Sequence, residues 1–163
     1  MLAAAMTLAV GWGAWGMVDV VNPSTVLADK RDMAAMAWIR TETPESASFL
    51  VNARYWIPGI YVGTDAGWWI PYLTGRQATQ PPILYYQGPA SYRDRIADVA
   101  EQMAQGEQAD DAFETWVRRL GVTHIYVGSR GGPLTPRLLD SCSVLETVYS
   151  SGPVRIYRVL SAS

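Results

Sequence analysis

One cysteine and one histidine in 163 residues exclude much chemistry at the outset. Cys142 has no second thiol to pair with, so the chain has no internal disulfide and no cysteine-based metal site. His124 stands alone in "GVTHIYVG", where a strand is expected, and a lone histidine there reads as structural. Zinc sites and Ser-His-Asp relays need more partners than this chain displays. Charge is scarce too, at 17% of residues against roughly 25% in ordinary soluble domains. The net charge is −2 and no Lys/Arg run occurs, which argues against a nucleic-acid partner. Phenylalanine is nearly missing, with two Phe against seven Trp and nine Tyr. Trp and Tyr join an apolar body to a polar handle, which suits a membrane interface or a sugar site as well as a core.

The longest absence of charge is the segment "MLAAAMTLAVGWGAWGMV", Met1 to Val18. A membrane-spanning helix needs about 20 apolar residues. Trp12 and Trp15 lie towards its C-terminal end, as interfacial aromatics do. The segment is apolar all round, which disfavours a surface helix of a soluble fold. It also lacks the basic n-region of a signal peptide. Residues 1–21 are therefore expected to form a transmembrane helix or its truncated end, with a signal-like segment and a helix inside a soluble core as the alternatives. The abrupt uncharged start suits the tail of a longer membrane protein. Residues 22–28 read as a linker with turn chemistry at Asn22-Pro23-Ser24, and 29–163 as one domain.

Within that domain Asp29 or Asp32 can cap a helix through "DMAAMAWIRTE", which Pro44 stops. "ASFLVNA" reads as a short buried strand and "YWIPGIYVG" as irregular. "GWWIPYLTG" is a short helix or turn, and "RQATQPP" a short extended piece. "SYRDRIADVAEQMAQG" and "ADDAFETWVRRLG" carry apolar residues at helical spacing, the second ending on the natural cap Gly121. "VTHIYVG" is a buried strand, "LTPRLLDS" a short helix, and "SVLETVYS" and "PVRIYRVLS" flank a turn at Ser151-Gly152. Strands alternating with helices predict an α/β fold: a mostly parallel sheet flanked by helices, with a C-terminal antiparallel hairpin and one N-terminal hydrophobic helix in front.

The densest candidate site is Asp65, Trp68, Trp69, Tyr72 and Arg76. An aromatic face can stack on a sugar ring, a carboxylate or guanidinium can bind hydroxyls, and Arg76 could meet a lipid phosphate. The structural alternative has Trp68 plugging the sheet and Asp65 capping the following turn. A second candidate is the loop "GSRGGP", with Gly128, Arg130 and Gly131, because open α/β sheets take ligands beyond the carboxyl ends of their strands. It lacks the P-loop and dinucleotide fingerprints, so a plain βα loop is its bland reading. Asp110, Asp111 and Glu114 read as helix caps rather than metal ligands, and Tyr85-Tyr86 as packing. No cofactor and no metal are expected.

The run of "AMAWIRTETPESASFLVN", "DAGWWIPYLTGRQAT", "GVTHIYVG" and "PVRIYRVL" resembles the C-terminal extracytoplasmic domain of multi-spanning GT-C-type glycosyltransferases, the dolichyl-phosphate-mannose and oligosaccharyltransferase-like superfamily. The resemblance spans about Asp29 to Leu160 and rests on soft patterns. It implies an accessory domain of an enzyme that uses a lipid-linked sugar, located at the cell membrane and facing away from the cytoplasm. Its implied partners are a membrane lipid or lipid-linked sugar and the membrane-spanning remainder of the parent protein. The Trp-Trp-Asp-Tyr-Gly acceptor motif of the oligosaccharyltransferase has only a reordered counterpart here, with Asp65 preceding Trp68 and Trp69, so a peptide-acceptor role does not carry over. The acidic catalytic loops of such enzymes lie near their first membrane helices, so the chain alone would not perform the transfer. A membrane-anchored extracytoplasmic binding or interaction module without catalysis is the alternative.

Overall fold

The computed structural model describes residues 2–17, 25–105 and 111–160, with side chains from residue 6 onward in the first of these stretches. The first element, α1 (Leu2–Gly16), is a 15-residue helix without a charged residue. At 1.5 Å per residue it is about 22 Å long, against a bilayer hydrocarbon core of about 30 Å. Among the described residues no helix is long and apolar enough to cross a membrane. The expected 1–21 segment extends beyond the described residues at both ends. Every described side chain from Met6 to Met17 is exposed, Trp12 at 85%. A β-carbon added at Gly11, Gly13 or Gly16 would meet nothing within 4 Å. The alternative that buries this helix in the domain's own core is thereby overturned.

Helix α2 (Lys30–Glu42) starts at a capping box: the Asp29 carboxylate accepts from the N–H groups of Arg31 and Asp32, and Asp32 Oδ2 accepts from the N–H of Asp29. β1 (Ser48–Val51) follows, then the paired strands β2 (Ala53–Ile57) and β3 (Ile60–Gly63) around Pro58-Gly59. The segment expected to be irregular is thus a two-stranded antiparallel hairpin. A 3-10 turn (Ala66–Trp69) leads into α3 (Ile70–Thr74), and β4 (Gln77–Ala78) is two residues long. A second 3-10 turn (Ile83–Gln87) precedes α4 (Ala90–Gln105). α5 (Asp111–Leu120), β5 (His124–Val127), α6 (Pro136–Leu139), β6 (Leu145–Ser151) and β7 (Val154–Val159) complete the chain.

The main sheet has the order β4-β1-β5-β7-β6. β1 is parallel to β4 and β5, while β7 is antiparallel to both β5 and β6. The sheet is therefore mixed rather than mostly parallel, because the C-terminal pair docks through β7 onto β5 instead of standing apart. β6, an edge strand, carries a bulge between Thr147 and Tyr149. Period-two alternation divides the core into two layers. Phe49, Val51, Tyr126 and Ile156 face α2 and α3, packing with Met36, Ile39 and Ile70. Leu50, Ile125, Val127 and Tyr157 face the opposite way, against Met103, Phe113, Trp116, Val117 and Leu138 from α4, α5 and α6. A satellite cluster of Ala53, Tyr61, Ala97 and Ala100 seats the β2–β3 hairpin on α4.

The connection after β1 leads outward to β4, whereas the one after β5 leads the other way, to β6. The carboxyl ends of β1 and β5 thus flank a topological switch point, the usual ligand crevice of open α/β sheets.

Candidate functional site

Protein groups fill that crevice. Asn52 follows β1 and is fully buried. Its amide nitrogen donates to the Leu134 carbonyl at 3.1 Å and to Asp65 Oδ2 at 3.2 Å, and its oxygen accepts from the Leu134 N–H at 2.8 Å. Asp65, equally buried, also accepts from the N–H of Gly128 at 2.8 Å and of Gly67 at 2.9 Å. The Gly67 bond makes it the cap of the 3-10 turn that carries the tryptophan pair. Beside it, buried Asp32 accepts at Oδ1 from the Tyr126 hydroxyl at 2.7 Å and from the Ser129 N–H at 2.9 Å. These bonds join residues up to 97 positions apart.

Burial pushes the Asp65 carboxyl up to about 6, against the pull of its hydrogen bonds from Gly128, Gly67 and Asn52 and with a push from the Asp32 charge. Burial and the Asp32 carboxylate raise the Tyr126 hydroxyl far above its ordinary value, so it stays a donor. At Asp29 desolvation works against the charge, but the N–H donors of Asp32 and Arg31 hold the carboxyl below its usual range. The carboxylates here are acceptors already occupied by protein donors. Among the described residues no group of three or more His, Cys, Asp or Glu could hold a metal ion.

The glycines of the "GSRGGP" loop serve this hub. A β-carbon at Gly128 would lie 2.9 Å from Asp65 Cβ and 3.0 Å from Asp32 Oδ1. One at Gly132 would lie 2.7 Å from Asn52 Cγ. Gly131 closes a turn onto the Gly128 carbonyl at φ +70°, and its own carbonyl accepts from the Thr64 hydroxyl. The close approach of this loop is to carboxylates of the chain itself, not to an open ligand site. Arg130 alone projects outward, exposed.

The structure disperses the first candidate group. Arg76 donates to the carbonyls of Thr74, Arg40 and Thr43, fastening the end of α2. Trp68 is half-buried; its ring stands against Gly63, where a β-carbon would lie 2.8 Å from Trp68 Cβ, and its indole N–H donates to the Pro81 carbonyl at 2.8 Å. Trp69 is exposed and meets Tyr72 edge-on, ring centroids 6.4 Å apart. The pair divides, Trp68 inward and Trp69 outward. His124 is buried against Phe49 with ring centroids 5.0 Å apart, and burial, with Arg158 nearby, keeps its pKa low, in keeping with a structural role. Asp110 lies outside the described residues. Glu114 sits in the first turn of α5 and also accepts from the N–H and hydroxyl of Ser143, tying α5 to the approach to β6.

Trp68 does line an open groove of about 390 Å³, together with Leu27, Arg54, Trp56, Val62 and Arg130. Arg54 pairs with Val62 on one face of the β2–β3 hairpin, and Trp56, at the register shift between Tyr55 and Ile57, lines the groove with them. Arg130 and Leu27 also border a neighbouring hollow with Asp29 and Asp32. Of the candidate residues named from sequence, Trp68 and Arg130 come together here. The sequence expectation does not include Arg54 and Trp56, although "RYW" sets them two residues apart beside the turn signal Pro58-Gly59.

No protein family, no curated protein and no solved structure matches this chain.

Proposed function

We propose that the chain is a non-catalytic α/β domain tethered to a membrane by its apolar N-terminal segment. The observation that carries this reading is the exposure of α1: it is an uncharged helix whose described side chains all face solvent, with open space beside its glycines, and large apolar surfaces in water require a cover. Carboxylates saturated by backbone donors suit a scaffold better than acid–base chemistry. The resemblance to GT-C-type extracytoplasmic domains narrows the proposal to an accessory domain of a glycosyltransferase that uses a lipid-linked sugar. The unsaturated groove of Arg54, Trp56, Trp68 and Arg130 favours the second reading, a tethered binding module with no part in sugar transfer.

Flotation of the full chain with phosphatidylcholine vesicles tests the tether. Wild type is expected to float and Leu8→Asp with Val10→Asp to remain at the bottom; a wild-type chain that stays in the aqueous fraction overturns the reading. The glycosyltransferase role is tested by the reading frame upstream of Met1, where multiple hydrophobic spans would support it. An intact cellular product that starts at Met1 would leave only the binding module.

A further inference from the structure

Arg54 and Arg130 have no hydrogen-bond or ion-pair partner among the described residues, yet both line one groove, and no acidic side chain lines it with them. Each guanidinium is a planar fork of donors suited to a phosphate. Neutral sugar hydroxyls need acceptors as well as donors, and a groove of guanidiniums, indoles and aliphatic groups has few. Asp29 and Asp32 border the neighbouring hollow, but both accept backbone N–H donors, and Asp29 lies 3.9 Å from Arg31. Trp56 stands exposed in the groove wall, and its chain neighbours Tyr55 and Ile57 are also exposed near the tip of the β2–β3 hairpin. Trp and Tyr favour the depth at which lipid headgroups meet hydrocarbon. The wall of the groove begins at Thr25, nine residues past Gly16 and so at most about 32 Å of extended chain from the end of α1.

We infer that this groove and hairpin tip form a docking surface for the bilayer, with Arg54 and Arg130 binding the phosphate of an anionic glycerophospholipid while Trp56 and its neighbours enter the interface. The inference rests on the membrane-tethered reading and adds a second point of attachment. The domain would then lie down on the membrane rather than swing from its helix.

Binding of the full chain to phosphatidylcholine vesicles with and without phosphatidylglycerol tests it at low ionic strength. Wild type is expected to bind the anionic vesicles about thirtyfold more tightly, from two arginines near the surface. The double variant Arg54→Gln, Arg130→Gln should lose that preference while binding phosphatidylcholine as wild type does. The control Arg93→Gln, Arg95→Gln, which removes the same charge from exposed positions on α4, should keep it. Equal loss in both double variants, or retention in the groove variant, overturns the docking surface and leaves the tether standing. Absence of all vesicle binding in wild type overturns the tether itself. Competition by millimolar inorganic phosphate that abolishes the preference assigns the groove to free phosphate and overturns the lipid.

Discussion

Two regions gather polar side chains on either side of the loop from Gly128 to Gly132. Inward lies the hub of Asp32, Asn52 and Asp65, fully buried, each oxygen matched to a donor. Outward lies the groove, where Arg54 and Arg130 face solvent beside two tryptophans. A buried group left unpaired costs about 1–3 kcal/mol, whereas an exposed guanidinium is satisfied by water at no such cost. The hub is thus bound to be complete in the free protein, and the groove is at liberty to wait for an anion. Density of polar residues alone does not mark a ligand site; unused donors in reach of solvent do.

Asn52→Ala would break the hub most severely. It strands the Leu134 N–H and carbonyl and removes one donor from Asp65, for an expected loss of about 3–5 kcal/mol, read from chemical unfolding. Acidity sharpens the contrast. With Asp65 raised to about 6 from 3.8, the folded chain still holds a proton that the unfolded chain has released between those values. The folded state binds more protons in that window, so the contribution of Asp65 to stability is full below pH 3.8 and is lost as pH rises through about 6, by on the order of 2–3 kcal/mol. Unfolding midpoints taken across that window check the sign. Gly128→Ala would force a β-carbon into Asp65 and Asp32, with an expected cost of about 2 kcal/mol. Smallest is the tryptophan pair: Trp68→Ala should cost about 1–2 kcal/mol through its lost packing and its bond to Pro81, and Trp69→Ala within about 0.5 kcal/mol. Equal melting shifts for the two would erase the inward–outward division.

The helices were readable because their signals are local. The Asp29 cap, the Phe113, Trp116, Val117 face and the Thr135 start of α6 each sit within one or two turns. β1 and β5 were readable for the same reason, as short apolar runs bounded by turn residues, and β7 from its loose alternation of apolar and polar residues after the Ser151-Gly152 turn. The hairpin was missed because Pro58 and Gly59 break the run, and that break is its turn. The hub could not be read at all: Asp32 to Ser129 and Asn52 to Leu134 join residues 97 and 82 positions apart, and no local pattern encodes such pairings. Asp65 was seen with both its ligand and its capping roles; the cap is visible, along with a tie to Gly128 that only the fold supplies.

The two borders of the main sheet bear on how closely copies of this domain can be packed. A sheet can polymerise when an unpaired border accepts another chain's strand, and long straight borders invite this most. Here one border is β4, with only Gln77 and Ala78 in the ladder, and the other is β6, bent by its bulge between Thr147 and Tyr149 and flanked by the Glu146–Arg158 pair. Neither offers a straight template of useful length. Copies confined side by side can therefore reach high local density without stitching their main sheets together, leaving side-chain surfaces to decide which neighbours they keep.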